Sequence, residues 1–91
     1  MTATSPTFPI WSAFIETDAE PAVLSRLLQK LTCQHATILR LEYQFSPGAP
    51  FAEIAIAFAA ESSRAHLLAK QWETLVPVRR VRMSEGFPTP K

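Results

Sequence analysis

Glycine is nearly missing from this chain of 91 residues, in which only Gly48 and Gly86 occur. A loop that cradles phosphate on bare backbone N–H groups needs several glycines close together, so that class of nucleotide motif is excluded. Cysteine is scarcer still. Cys33 stands alone, which rules out an internal disulfide and points to a reducing compartment. Positive charge is not in excess either: the formal net charge is +1, with acids and bases interspersed. No cationic face therefore solicits nucleic acid. No apolar run approaches the ~20 residues that cross a bilayer. The opening Met1-Thr2-Ala3-Thr4-Ser5-Pro6 lacks the basic start and apolar stretch of a secretory leader. A soluble, cytoplasmic protein with no membrane contact is the expectation.

Groups for catalysis are thin as well. A reaction site needs a nucleophile beside a base, paired carboxylates, or a metal shell. Cys33 and His35 lie two positions apart, but a metal site wants at least three ligands and none converges on them in sequence. His35 reads as a polar residue and Cys33 as a small, partly buried residue at a helix end, and His66 as a solvated residue early in a second helix. Asp18 and Glu20 could pair as carboxylates, yet a helix N-terminus accounts for both. The Arg79-Arg80-x-Arg82 cluster could meet phosphate or RNA. RNA-binding sheets need exposed aromatics within a Lys/Gly-rich strand, whereas here the third strand reads Phe51-Ala52-Glu53-Ile54-Ala55-Ile56-Ala57-Phe58. A cationic edge strand that resists aggregation is the plainer reading. A chain without catalytic or metal-binding residues is expected.

What is present is an ordered series of amphipathic segments. Apolar residues make up 47% of the chain, enough for one core. Residues 9–16 alternate, with Trp11, Ala13 and Ile15 on one face and Ile10, Ser12 and Phe14 on the other. Bulk on both faces predicts a central strand, covered by helices on one side and by something else on the other. Glu20-Pro21 opens a helix over 22–32, since proline has no N–H to leave unpaired in a first turn. Leu24, Leu27, Leu28 and Leu31 form its apolar stripe.

Residues 37–45 alternate again, and predict a strand with Leu39, Leu41, Tyr43 and Phe45 buried and the other face solvated. Ser46-Pro47-Gly48-Ala49-Pro50 is a turn that makes a hairpin with residues 51–60. There Ala52, Ile54, Ile56 and Phe58 oppose Glu53, Ala55, Ala57 and Ala59. The alanine face either admits another layer or sits beneath the helices. A second helix begins near Ser62 or Ser63 as N-cap and runs through Leu67, Leu68, Trp72 and Leu75. Residues 76–83 end the series as a strand that Pro77 confines to an edge or a bulge.

This order is βαββαβ, an α+β ferredoxin-like sandwich with a four-stranded antiparallel sheet and two helices on one face. The domain spans 9–83, with flexible tails at 1–8 and 84–91. Helices can cover only one sheet face, so a partner is expected on the rest, and a homodimer through sheet edges would supply it.

Glu20-Pro21-Ala22-Val23-Leu24-Ser25-Arg26-Leu27-Leu28, Thr37-Ile38-Leu39-Arg40-Leu41 and Leu75-Val76-Pro77-Val78-Arg79-Arg80-Val81 together resemble the ACT domain family. Among its members the chain is similar to the short, single-domain regulatory subunits of acetolactate synthase. The resemblance implies side-by-side dimers with an eight-stranded sheet. It also implies a catalytic large subunit as partner, carrying the thiamine diphosphate, magnesium and flavin of acetolactate formation, with no cofactor in this chain. A branched-chain amino acid would sit between the loop and helix start of one copy, Asp18, Ala19, Glu20, Ala22 and Val23, and the second strand of the other, Thr37 and Ile38.

The chain departs from that pattern in four places. Ala22 stands where glycine opens the helix, Ala19 and Thr37 where asparagines bind, and His35 where glycine precedes the strand. These departures imply weak or absent feedback, and leave assembly with and activation of the catalytic subunit as the function. The alternative is a freestanding amino-acid sensor or a dimeric module for another enzyme. A small enzyme of the dimeric α+β barrel kind comes last, because it would need polar groups converging between sheet and helices.

Overall fold

Each alternating segment becomes a strand and each three-four-spaced segment a helix. The computed structural model describes residues 8–20, 22–45, 47–76 and 78–86. Within it run β1 (Ile10–Asp18), α1 (Ala22–Cys33), β2 (Thr37–Phe45), β3 (Phe51–Ala59), α2 (Ser62–Glu73) and β4 (Val78–Glu85). The strands form one antiparallel sheet in the order β2-β3-β1-β4. This is the ferredoxin-like arrangement, with β1 and β3 central and β2 and β4 at the edges.

Both helices lie on one sheet face. Trp11, Ala13 and Ile15 of β1 and Ile54, Ile56 and Phe58 of β3 meet Val23, Leu27 and Leu31 of α1 and Ala65, Leu68 and Trp72 of α2. The alanine face of β3 therefore lies opposite the helices, where Ala57 and Ala59 are still buried and Ala55 is half-buried. Phe58 and Trp72 pack edge to face, centroids 5.9 Å apart. Both buried indoles find acceptors: Trp72 Nε1 donates to the Leu27 carbonyl at 3.2 Å, and Trp11 Nε1 to that of Ala60 at 3.1 Å. These bonds matter because an unpaired polar atom in the core costs about 1–3 kcal/mol.

Several expectations change. The face of β2 carrying Leu41, Tyr43 and Phe45 is not buried: every residue of β2 is exposed. The two helices bury the inner faces of β1 and β3 and leave the side chains of β2 exposed, while Leu24 and Leu28 of α1 are only partly buried. Leu67 likewise points away from the core, because the buried stripe of α2 runs through Ala65, Leu68 and Trp72. The N-cap of α2 is Glu61 without a side-chain cap bond, not Ser62 or Ser63.

The last strand starts at Val78 rather than residue 76 and continues to Glu85. Residues 84–86 are thus ordered with the domain rather than tail. The Ser12 hydroxyl donates to the Gly86 carbonyl, and the Gly86 N–H to that of Ile10. The expectations for Pro21, Ser46 and Pro77, and for the tails over 1–7 and 87–91, lie outside the described residues.

Candidate functional site

The β1–α1 loop is built mostly from its own backbone. The Ala19 N–H donates to the Pro50 carbonyl at 3.3 Å, Glu20 N–H to Asp18 at 2.7 Å, and Val23 N–H to Glu20 at 3.1 Å. Three N–H groups near the helix start are thereby occupied, and proline at 21 has none to offer. Val23 is fully buried and seats the helix on the sheet, while Ala22 is exposed. The Asp18 carboxylate was expected at the helix's positive end. Arg79 Nε holds it at 2.6 Å, with the Arg79 guanidinium 6.0 Å from the Phe51 ring. That long-range pair was invisible in sequence, and it gives one arginine of the cluster a partner.

Thr37 and Ile38 begin β2 opposite Ala59 and Phe58. The chain reaches them through a left-handed residue at the end of α1: His35 has φ 57°, and the Ala36 N–H returns to the Leu31 carbonyl at 3.0 Å. That is the helix-ending geometry in which glycine is favoured. It matches the position where the resemblance has glycine.

Within one chain these two groups do not meet. Thr37 is level with Ala59 and Ile10, at one end of the sheet, and Asp18 with Phe51 at the other. Eight residues of strand separate them, roughly 26 Å at the usual rise. An antiparallel pairing of β2 with β2 of a second copy would reverse one sheet against the other. It would carry Thr37 and Ile38 of that copy to the loop end of the first.

The edge itself is apolar. Ile38, Leu39, Leu41, Tyr43 and Phe45 are each 37–50% exposed. A strand edge of this length with large apolar side chains on view is a pairing template unless it is covered. For reaction chemistry there is less: among the described residues no group of three or more His, Cys, Asp or Glu could hold a metal ion. His66 stacks edge-on to Trp11 at 5.4 Å, and its Nδ1 lies 2.8 Å from the Ser62 carbonyl oxygen. Among the described residues no helix is long and apolar enough to cross a membrane.

No family model and no curated protein matches the chain. Solved structures do match its fold. The C-terminal domain of the MgtC protein from Mycobacterium tuberculosis superposes with a TM-score of 0.75 at 10% identity, over 92% of this chain and 94% of that one. The ACT domain of GTP pyrophosphokinase from Chlorobium tepidum gives 0.68 at 10% identity, over 86% of this chain and all of that domain, 100%. A homoserine dehydrogenase from Thiobacillus denitrificans gives 0.74 at 13% identity, over 85% of this chain but only 17% of the enzyme. Identities this low speak to fold alone. The fold is one that an ACT domain shares.

Proposed function

We propose that this chain is a non-catalytic regulatory subunit of ACT type, working as a side-by-side dimer that assembles with and activates a catalytic partner. The observation that carries the reading is the β2 edge, exposed on both faces along a strand that bears five large apolar side chains. Pairing two such edges would continue the sheet and cover the stripe. The partner suggested by sequence resemblance is the thiamine-diphosphate-dependent subunit of acetolactate synthase, in branched-chain amino-acid synthesis. The dimer would bind an active conformation of that subunit better than an inactive one, and so shift its population.

Effector binding is weak or absent in this reading. A carboxylate held at a helix N-terminus needs free N–H groups. Those of Ala19, Glu20 and Val23 already donate within the chain. Ala19 has no polar side chain to add, and Ala22 places a Cβ where the family's glycine leaves backbone open. Asp18 is engaged by Arg79.

The test is to size the isolated chain, add it to the catalytic acetolactate synthase subunit from the same genome, and titrate valine, leucine and isoleucine by calorimetry. A dimer at micromolar concentration, faster acetolactate formation and no amino-acid heat are expected. A stable monomer, or a dimer that leaves the rate unchanged, overturns the reading. Amino-acid heat without activation favours the freestanding sensor.

A further inference from the structure

The exposed edge strand carries an ion pair along its own length. Arg40 Nη2 meets Glu42 Oε2 at 2.9 Å, with both side chains more than half exposed. The register sets Arg40 opposite Ala57 and Glu42 opposite Ala55, on the sheet face away from the helices. Leu41 between them lies opposite Ile56, on the helix side. Leu41 is also the middle residue of β2, which runs Thr37–Phe45. An arginine and a glutamate placed evenly about the midpoint of a strand are complementary to the same strand running the other way.

We infer that Arg40 and Glu42 set the register of the β2–β2 dimer and select a second copy of this chain as the partner of that edge. The inference rests on the side-by-side dimer proposed above and adds where its axis passes. A two-fold axis normal to the sheet keeps the helices of both copies on one side and runs the two strands antiparallel. Directly opposed residues share a face. The axis maps each face onto itself, so it passes where a residue meets its own copy.

With the axis at Leu41, Arg40 of each copy stands opposite Glu42 of the other. The four charges then alternate around a rectangle. Each arginine has its own glutamate along the strand and the second copy's across the seam, while like charges fall on the diagonals, roughly 7–8 Å apart. An axis at Arg40 sets arginine against arginine, and one at Glu42 sets glutamate against glutamate. Moving the axis either way also shortens the paired length. On the helix side, the axis at Leu41 brings that leucine against its own copy. It also brings Tyr43 against the bulged Ile38 and Leu39 of the second copy. Charges and apolar stripe thus call for the same register. A foreign edge without an acid two residues after a base forgoes both cross-strand pairs or meets like charge. The selectivity is modest and falls with salt, because all four charges stay near water.

A cysteine reads the register directly. With Cys33→Ser to remove the native thiol, Leu41→Cys places two thiols on the axis. Opposed Cα atoms there are roughly 4.5–5.5 Å apart, within the span of a disulfide. Mild oxidation of the full chain should link Leu41→Cys into a covalent dimer and leave Tyr43→Cys, in the same background, unlinked. Charge exchange reads the selectivity by sedimentation, with fold checked by circular dichroism. R40E and E42R each create two like-charged pairs per dimer, and each should weaken association roughly tenfold. Their mixture should form a heterodimer of wild-type strength, although each chain then carries like charges along its own strand. A wild-type chain that stays monomeric overturns the dimer itself. A dimer that links at Tyr43 rather than Leu41, or whose affinity is the same in R40E and E42R as in wild type, leaves the dimer standing and overturns this inference.

Discussion

The two edge strands answer the same hazard in different ways. β4 carries Arg79, Arg80 and Arg82, and turns Val78, Val81 and Met83 partly into the core. β2 carries five large apolar residues and turns nothing fully inward. Each strand also has one irregularity. On β4 the register shift beside Glu16 and Thr17 leaves Arg79 as the extra residue, and Arg79 binds Asp18. On β2 the shift between Ile38 and Arg40 leaves Leu39 as the extra residue, 45% exposed. Charge and a bulge that aims an arginine are ways to close an edge to other strands. A bulge that exposes leucine closes nothing. β4 is an edge finished within the chain, and β2 is an edge the chain leaves exposed.

One substitution placed on both edges separates the two cases most sharply. Val81→Asp puts a carboxylate among core residues. It should destabilise the fold by about 2 kcal/mol whatever the protein concentration. Leu41→Asp alters a side chain already 37% exposed within the chain, and should change monomer stability by about 1 kcal/mol, less than Val81→Asp does. Its effect should appear chiefly as at least a roughly tenfold loss of dimer affinity, the scale of a buried interface anchor. Denaturant melts at several concentrations, with sedimentation, would read both. Equal, concentration-independent losses at Val81 and Leu41 would make the two edges alike and remove the contrast.

The same contrast marks what the sequence could tell. Alternation is local, so it located all four strands and divided β1 and β3 into two faces, without saying which face of β3 the helices cover. The covering of a face is not local. Leu41, Tyr43 and Phe45 alternate as well as Ile54, Ile56 and Phe58 do, but the latter lie under helices and the former lie one strand beyond them. Two helices cannot span four strands here, and only the strand order shows which strand is left out. The candidate site has the same character. Its loop and its strand start were both legible as segments, but register alone places them at opposite ends of one sheet. The Asp18–Arg79 pair joins residues 61 positions apart and leaves no local trace. His35 had a signal: it follows a leucine-rich helix at the place where glycine would end it.

His35 also offers the next, smaller test, at the entrance to β2. A non-glycine residue in the left-handed region is strained, by roughly 1–2 kcal/mol in general. Glycine relieves that strain but adds freedom to the unfolded chain, which offsets roughly 0.5–1 kcal/mol. His35→Gly should therefore stabilise the monomer by about 0.7 kcal/mol, the midpoint left by those opposing terms. Because it leaves the apolar stripe untouched, dimer affinity should not change. Lower stability in a chemical melt would mean that the imidazole holds contacts the backbone argument omits.

The smallest effect belongs to the entrance of β4. Asp18 and Arg79 are 46% and 50% exposed in their side chains, so water screens their attraction despite a 2.6 Å contact. Exposed pairs of this kind contribute about 0.2–1 kcal/mol. A double-mutant cycle with Asp18→Ala and Arg79→Ala should give a coupling of about 0.5 kcal/mol that shrinks in high salt. The single changes need not cost the same. An acid near the start of α1 can also favour the helix's positive end, by about 0.3–1 kcal/mol. If Asp18→Ala costs more than Arg79→Ala by that margin, Asp18 serves both the β4 bulge and the helix start. Equal single costs would confine it to Arg79, and would make the loop's acid part of how this edge is finished rather than part of a binding site.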